Sequence, residues 1–409
     1  MGAEAIVLIV TTHGTAYERG RQYGEQLGQE MRRRAPASPL RPLATGDTGG
    51  AAGGDGNALA GRMLRYLDRH EPALVDEMRG LAAGAGVSFD AVFHLNVASP
   101  VQYIQDFPAD RAGGARAAHQ TSPAESDGCT NVAFATTERG PLLGKTNDGG
   151  APVAPEHQPS TWVLQHAFPA AGPAFFLLGP VGALAGVAGM NAAGFTVGQS
   201  AAQVVPGQDG SGVPNNLILR ALLERCATVE DALKLLSTRD LAGKGLNLML
   251  LDEGGTVRVA EKSAGRLGVR TPDDRGTLYF SNHCHTPGLR ELPPRHDRDN
   301  SLRRWSFLQD HFASDGSDRE SDRSWEHMRT IISSHGRSDQ SSAMGVASLS
   351  PSSAATSGAL CQHGPDMFTS LGLLIAPRER TLWTADGPPC VTPFVERRLG
   401  VASTPLTHP

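Results

Sequence analysis

The order of elements along this chain predicts an α+β protein in which sheets are stacked between helical layers. Three observations carry the prediction. Helical periodicity dominates the first hundred residues apart from a short initial strand and the weak stretch 35–56, strand-like runs dominate from about residue 131, and helices then return only in pairs between further strands. Strand and helix do not alternate as they would in a doubly wound parallel sheet, and no internal repeat recurs. With 409 residues the chain is long enough to bury a large core.

Taken in order, a short apolar run at 5–10 predicts a first strand, and 16–34 predicts a helix with Thr15 as its N-cap. Residues 35–56 are mostly Ala, Pro, Gly, Asp and Thr, which bury too little apolar surface to offset ordering, and predict a flexible insertion. Helical patterning resumes over 57–85, with Met63, Leu64, Leu67, Leu74 and Met78 on recurring faces, and a helix capped by Ser88 is expected to run to about 98. A second weak stretch, 110–126, predicts another flexible linker. Strands are expected at 131–136, 142–146, 161–168, 174–178 and 194–198, helices at 215–226 and 229–237, and strands at 246–251, 257–261 and 278–281. Helices over 300–312 and 324–334, a Ser/Ala-rich loop at 337–358, and strands at 370–376 and 381–385 complete the reading.

Composition excludes several classes. A net charge of -5 provides no basic field for nucleic acid, and the cluster Arg32, Arg33, Arg34 suits the C-terminal end of a helix. No apolar run reaches about 18 residues, so no membrane span is expected, and the apolar run at 5–10 is too brief for a signal peptide. A cytoplasmic location is the resulting expectation. Five cysteines without CxxC spacing argue against a disulfide framework or a zinc ribbon. His283 and His285 form an HxH pair without partners at fixed offsets, so neither a metal nor another cofactor is expected.

Cys129 is the residue with chemical promise. It follows a glycine at the end of a polar stretch and opens a strand-like run. A thiol in that position can attack the Gly128 carbonyl and pass the acyl group from nitrogen to sulfur. Hydrolysis of the thioester then frees a new N-terminus at Cys129. The liberated α-amine, with a reference pKa of about 7.7–8.0, can take the thiol proton, so that one residue supplies nucleophile and base. Sulfur is both a strong nucleophile and a good leaving group for acyl transfer.

Asp127-Gly128-Cys129-Thr130-Asn131, followed by Gly144-Lys145-Thr146-Asn147-Asp148, resembles the acyl-coenzyme A:6-aminopenicillanic acid acyltransferase family, whose relatives include β-alanyl amine hydrolases. The resemblance continues through Gly14 to Gly24, Glu77 to Ala85, Gly186 to Gly194, Gly212-Val213-Pro214, Ser281-Asn282-His283-Cys284, Asn300 to Arg303, and Gly387-Pro388-Pro389-Cys390. It implies a four-layer αββα sandwich of N-terminal nucleophile hydrolase type, with two antiparallel sheets. It also implies one domain, processed into a small subunit 1–128 and a large subunit 129–409. The function implied is cleavage or transfer of an acyl group from a small amide or thioester through an acyl-Cys129 intermediate. The partners are then a small acyl donor, an amine or water acceptor, and the chain's own cleaved halves.

The resemblance further implies an oxyanion role for Asn282 and a position for Asp148 close to the nucleophile, where it would orient the α-amine or hold local backbone. Thr130 and Asn147 are supporting candidates. His283 opens an alternative, a papain-like pair with Cys129, and a non-catalytic scaffold of the same fold is a third reading. Cys226 and Cys390 read as packing residues, whereas Cys284 and Cys361 are expected nearer the site. Two positions depart from the family pattern: Gln362 stands where an arginine often follows the late cysteine, and Asp366 stands near a region where the penicillin enzyme carries a basic residue. Less positive charge favours a neutral or cationic amine partner over a carboxylate-bearing penicillin.

Overall fold

The computed structural model describes residues 7–34, 56–109, 128–149, 162–293, 299–314, 323–336, 358–364 and 367–400. The insertions expected at 35–56 and 110–126 therefore lie outside the described residues, except Gly56, as do Asp127 and Asp366. Strand β1 (Leu8–Gly14) leads into helix α1 (Ala16–Arg34). Thr15 begins the helix as expected. Its hydroxyl accepts from the Glu18 N–H (3.3 Å), and the Glu18 carboxylate accepts from the Thr15 N–H (2.8 Å), a reciprocal cap.

The helical stretch expected over 57–85 is two helices, α2 (Gly56–His70) and α3 (Pro72–Ala85). Pro72 sits in the first turn of α3, where its missing N–H costs nothing, but it cannot extend α2. Helix α4 (Phe89–Asp106) outruns its expected end because Pro100 is tolerated inside it. A proline there cannot donate to the carbonyl of Asn96, and the Asn216 side chain does so instead at 3.0 Å. Helices α1 and α3 cross backbone to backbone. A Cβ on Gly20 would lie 2.0 Å from the Glu77 carbonyl oxygen, and one on Gly80 or Gly84 would lie 2.0 Å from that of Tyr17 or Arg21. The four-residue spacing puts these glycines on one face of each helix.

The strands that follow are β2 (Gly128–Phe134), β3 (Leu142–Gly149), β4 (Trp162–Pro169), β5 (Phe175–Pro180), β6 (Ala188–Asn191) and β7 (Thr196–Ala201). A short β8 (Val213–Pro214) precedes helices α5 (Ile218–Arg225) and α6 (Val229–Ser237), and pairs with β9 (Leu241–Ala242). Then come β10 (Leu246–Leu251), β11 (Val257–Ser263), β12 (Arg266–Arg270) and β13 (Thr277–Phe280). Helices α7 (Asp299–Ser314) and α8 (Trp325–Ile332) precede β14 (Phe368–Ala376), β15 (Thr381–Ala385) and β16 (Val395–Arg398).

The eight-stranded sheet runs β1-β4-β5-β6-β7-β10-β11-β12 and the six-stranded sheet β13-β2-β3-β14-β15-β16. The expectation of antiparallel sheets needs one correction, since β1 pairs with β4 in parallel. Three cores separate four layers. Leu246, Leu248 and Leu250 face the α1–α6 layer, while Met249 and Leu251 of the same strand face the second sheet. On β2, Ala133 faces the first sheet, whereas Val132 and Phe134 pack against Leu308 of α7 and Met328 of α8. Strands buried on both faces alternate between two apolar cores, so they read as unbroken hydrophobic runs. The arrangement is a four-layer αββα sandwich. Among the described residues, no helix is long and apolar enough to cross a membrane.

Candidate active site

Strand β2 begins at Gly128 and pairs antiparallel with β3, so that Gly128 opposes Asp148, Cys129 opposes Asn147 and Asn131 opposes Lys145. Directly opposed residues share a face. Cys129, Asn147 and Lys145 therefore lie on the face that meets the other sheet, and Thr130 and Asp148 lie on the face covered by α7. The Cys129 thiol is nearly buried, and its sulfur lies 3.4 Å from Oδ1 of Asn147. Sequence reasoning ranked Asn147 below Asp148, yet register gives Asn147 the thiol contact. Gly128 is glycine here for space: it is not among the described glycines of positive φ, and a Cβ would lie 2.6 Å from Met367 Sδ and 3.0 Å from Asp148 Cβ.

Asn282, just past β13, reaches across 153 positions to Cys129. Its Oδ1 accepts from the Cys129 backbone N–H at 2.9 Å, its Nδ2 donates to the Ala201 carbonyl at 3.0 Å, and its own N–H is held by the Ser301 hydroxyl. Arg304, on α7, is the residue that sequence reasoning missed. It is completely buried, and its planar fork donates to the Cys129 carbonyl (2.5 Å), the Thr130 hydroxyl (2.9 Å) and Asn282 Oδ1 (2.8 Å). Two donors converging on Oδ1 fix which way the Asn282 amide points. The only sequence hint was Asn300, one helical turn earlier, whose Oδ1 accepts from Arg304 Nε at 2.7 Å.

Asp148 lies behind Cys129, facing α7. Its Oδ1 accepts from Thr369 (2.7 Å) and its Oδ2 from Gln362 (3.4 Å). Burial pushes its carboxyl above the usual aspartate range, outweighing the Arg304 charge and the Thr369 hydrogen bond. Burial likewise lowers Arg304, against the opposing pull of Asp148. A carboxyl raised on folding contributes stability that is whole below the unfolded pKa of about 3.9 and is lost as pH rises through the folded value. Urea titrations of wild type and Asp148→Asn should therefore diverge. Across that window the wild type should lose about 1.4 kcal/mol per pH unit relative to the variant. A difference that stays constant with pH would show that Asp148 ionises as it does in the unfolded chain.

His283 turns toward serines, its Nδ1 lying 2.8 Å from the Ser301 hydroxyl and 3.3 Å from that of Ser281. Its ring packs against His285 and Trp305, and burial takes His285 down to about 3. Cys226 is a packing residue as expected, with burial pushing its thiol up to about 12. Cys284 packs in a small cluster with Leu289 and Leu292. Cys390, expected to be packing, instead meets Cys361 at 3.5 Å.

Three solved structures illustrate what the chain is similar to. A conjugated bile acid hydrolase from Clostridium perfringens is 12% identical, with a TM-score of 0.37 over 66% of this chain and 96% of that one. A penicillin V acylase from Agrobacterium tumefaciens is 14% identical, with a TM-score of 0.35 over 63% and 83%. The Caenorhabditis elegans ortholog of N-acylethanolamine-hydrolyzing acid amidase is 12% identical, with a TM-score of 0.39 over 61% and 93%. No curated protein matches the sequence. The family described as acyl-coenzyme A:6-aminopenicillanic acid acyl-transferase matches over residues 135–370, a span that starts just downstream of Cys129 and takes in Asp148, Asn282, Arg304 and Gln362. With more than half of its length matched, this chain belongs to the acyl-coenzyme A:6-aminopenicillanic acid acyl-transferase family.

Proposed function

We propose that the chain cuts its own Gly128–Cys129 bond and that Cys129, as a new N-terminus, then attacks the carbonyl of a small amide or thioester. One observation carries this reading. The Cys129 nitrogen, which would become the amine, already rests 2.9 Å from Asn282 Oδ1, an oxygen itself pinned by Arg304. In the first step sulfur bonds to the Gly128 carbonyl carbon, the C–N bond breaks, and the thiol proton ends on the departing nitrogen. Water then cleaves the thioester and leaves a carboxylate at Gly128. In turnover the amine takes the thiol proton, sulfur accepts the acyl group, and the leaving amine or thiol departs protonated. Water or an amine then releases the acyl group.

The halves 1–128 and 129–409 would remain together. The first supplies β1, paired along its length with β4 of the second, and helices α1–α4 packed on the same sheet. Asn282 Nδ2 carries two protons, of which Ala201 takes one, so the other is a candidate oxyanion donor. Asn282→Ala should lower kcat about 100- to 1,000-fold. Asn282→Asp keeps the acceptor for the amine but removes the donor, and an equal loss in both variants would assign the effect to the oxyanion. Unchanged kcat in both would remove Asn282 from the reaction. The papain-like pairing has less support, since the thiol meets Asn147 and the His283 Nδ1 meets serines.

Intact mass and N-terminal sequencing of purified, active protein test the reading. Two polypeptides are expected, the second beginning Cys-Thr-Asn. Active material with only the Met1 terminus would sink it, and uncleaved inactive material would favour a scaffold. Aminoacyl amines, penicillins and acyl thioesters then separate hydrolysis from transfer.

A further inference from the structure

Four side chains from three distant parts of the chain converge beside the six-stranded sheet. His335 follows α8, Cys361 and His363 precede β14, and Cys390 follows β15. Each offers one ligand atom, and all four atoms lie within 4.8 Å of one another. His363 Nε2 is 3.3 Å from His335 Nε2, 3.4 Å from Cys361 Sγ and 3.2 Å from Cys390 Sγ, and the two sulfurs are 3.5 Å apart. Hydrogen bonding does not account for this. A ring nitrogen carries one proton or one lone pair, so His363 Nε2 cannot satisfy three partners at once. Four donor atoms gathered within 4.8 Å of one another can all be satisfied by one cation.

The edge lengths fit a tetrahedral zinc ion. Zinc bonds of about 2.3 Å to sulfur and about 2.0–2.1 Å to nitrogen, set at tetrahedral angles, require S···S, S···N and N···N edges of about 3.8, 3.6 and 3.3 Å. Four of the six edges, at 3.5 Å, 3.2–3.4 Å and 3.3 Å, lie within a few tenths of an ångström of these, and the two from His335 to the sulfurs are no longer than 4.8 Å. A disulfide would need the sulfurs at about 2.05 Å. We propose that His335, Cys361, His363 and Cys390 hold a structural Zn²⁺ in a Cys₂His₂ tetrahedron. Two thiolates and two imidazoles in that geometry suit zinc, and four protein ligands leave no open position for catalysis.

The ion would position the active site without touching it. Gln362 lies between two of the ligands, donates to Asp148 Oδ2 at 3.4 Å and, through its backbone N–H, to the Thr369 hydroxyl at 2.8 Å. Thr369 in turn donates to Asp148 Oδ1 at 2.7 Å. Clamping 361–363 thus fixes the donors around the carboxylate that backs β2. None of this depends on self-cleavage.

Full-length protein, purified in reductant with its tag removed and without chelator, is expected to carry one zinc per chain by inductively coupled plasma mass spectrometry. Exchange into Co²⁺ should give the intense visible bands of a tetrahedral site and a thiolate-to-cobalt charge-transfer band. His363→Ala, at an exposed position, and Cys361→Ser should each lower bound zinc at least tenfold and abolish the cobalt bands. Cys226→Ala, a cysteine outside the cluster, should keep both. Protein that holds less than a tenth of an equivalent of zinc and gives no cobalt spectrum on adding Co²⁺ overturns the proposal. So does zinc content unchanged in both ligand variants, or a Cys361–Cys390 disulfide mapped in metal-free protein.

Discussion

Cys129→Ala is expected to leave one uncleaved chain and to reduce turnover about a million-fold, the scale on which loss of a nucleophile acts. The reason is that the same sulfur is asked to do two jobs. In the proposed reaction it attacks the Gly128 carbonyl once, and without it neither the second terminus nor the α-amine base would form. It would then attack every substrate. The backbone around it does not need the sulfur: the Cys129 N–H still meets Asn282 and its carbonyl still meets Arg304. Far-UV circular dichroism should therefore match the wild type. Cys129→Ser should process slowly, because a hydroxyl is far less ionised than a thiol at neutral pH. Processed Cys129→Ala protein, with a terminus at residue 129, would refute the assignment outright.

How much of this was legible in the sequence differs from residue to residue. Cys129 was, because a glycine before it and a strand after it are local features. Asn282 was placed by resemblance, and its contact with Cys129 spans 153 positions that no local pattern connects. Which of Asn147 and Asp148 touches the thiol is a question of period: residues opposed across β2 and β3 share a face, so Cys129 meets Asn147 and Asp148 turns to α7. That register is set by the connection between β2 and β3, residues 135–141, whose conformation the sequence pattern leaves open. Arg304 was invisible, since an arginine on an amphipathic helix reads as solvated until its helix is docked. The Cys/His cluster has one local trace, Cys361 and His363 two residues apart, while His335 and Cys390 arrive through the folding of two other loops. Pro72 was legible as a helix start but was read through. Pro100 would be read as a helix end, and Asn216 relieves it only in three dimensions. Parallel pairing of β1 with β4 likewise belongs to the assembled sheet.

The largest stability effect is expected at Glu77, far from the nucleophile. Its carboxylate is buried at 1% side-chain exposure between Arg19 (2.9 Å) and Arg220 (2.5 Å), and Gln165 Nε2 lies 3.3 Å away. Glu224 completes the balance, accepting from Arg19 (2.7 Å) and Arg220 (2.8 Å), so two cations face two anions. The cluster joins α1, α3, α5 and β4 where the glycine crossing brings α1 and α3 backbone to backbone. Glu77→Ala leaves two buried guanidinium groups sharing one carboxylate, and removing one partner of such a set costs about 3–5 kcal/mol. Arg21–Glu25 supplies the contrast: it is an i,i+4 pair on α1 with both side chains about half exposed, and Glu25→Ala should cost less than about 0.5 kcal/mol. Both are best measured by urea midpoint in the Cys129→Ala background, where the two halves remain one chain and unfolding needs no reassociation. If Glu77→Ala moves the midpoint no further than Glu25→Ala, the cluster is not what holds the helical layer to the first sheet. Because Glu77 and its partners lie on the side of that sheet away from Cys129, kcat per folded molecule should not change. A fall in kcat at full folding would show that the helical layer sets the geometry of the nucleophile through the sheet.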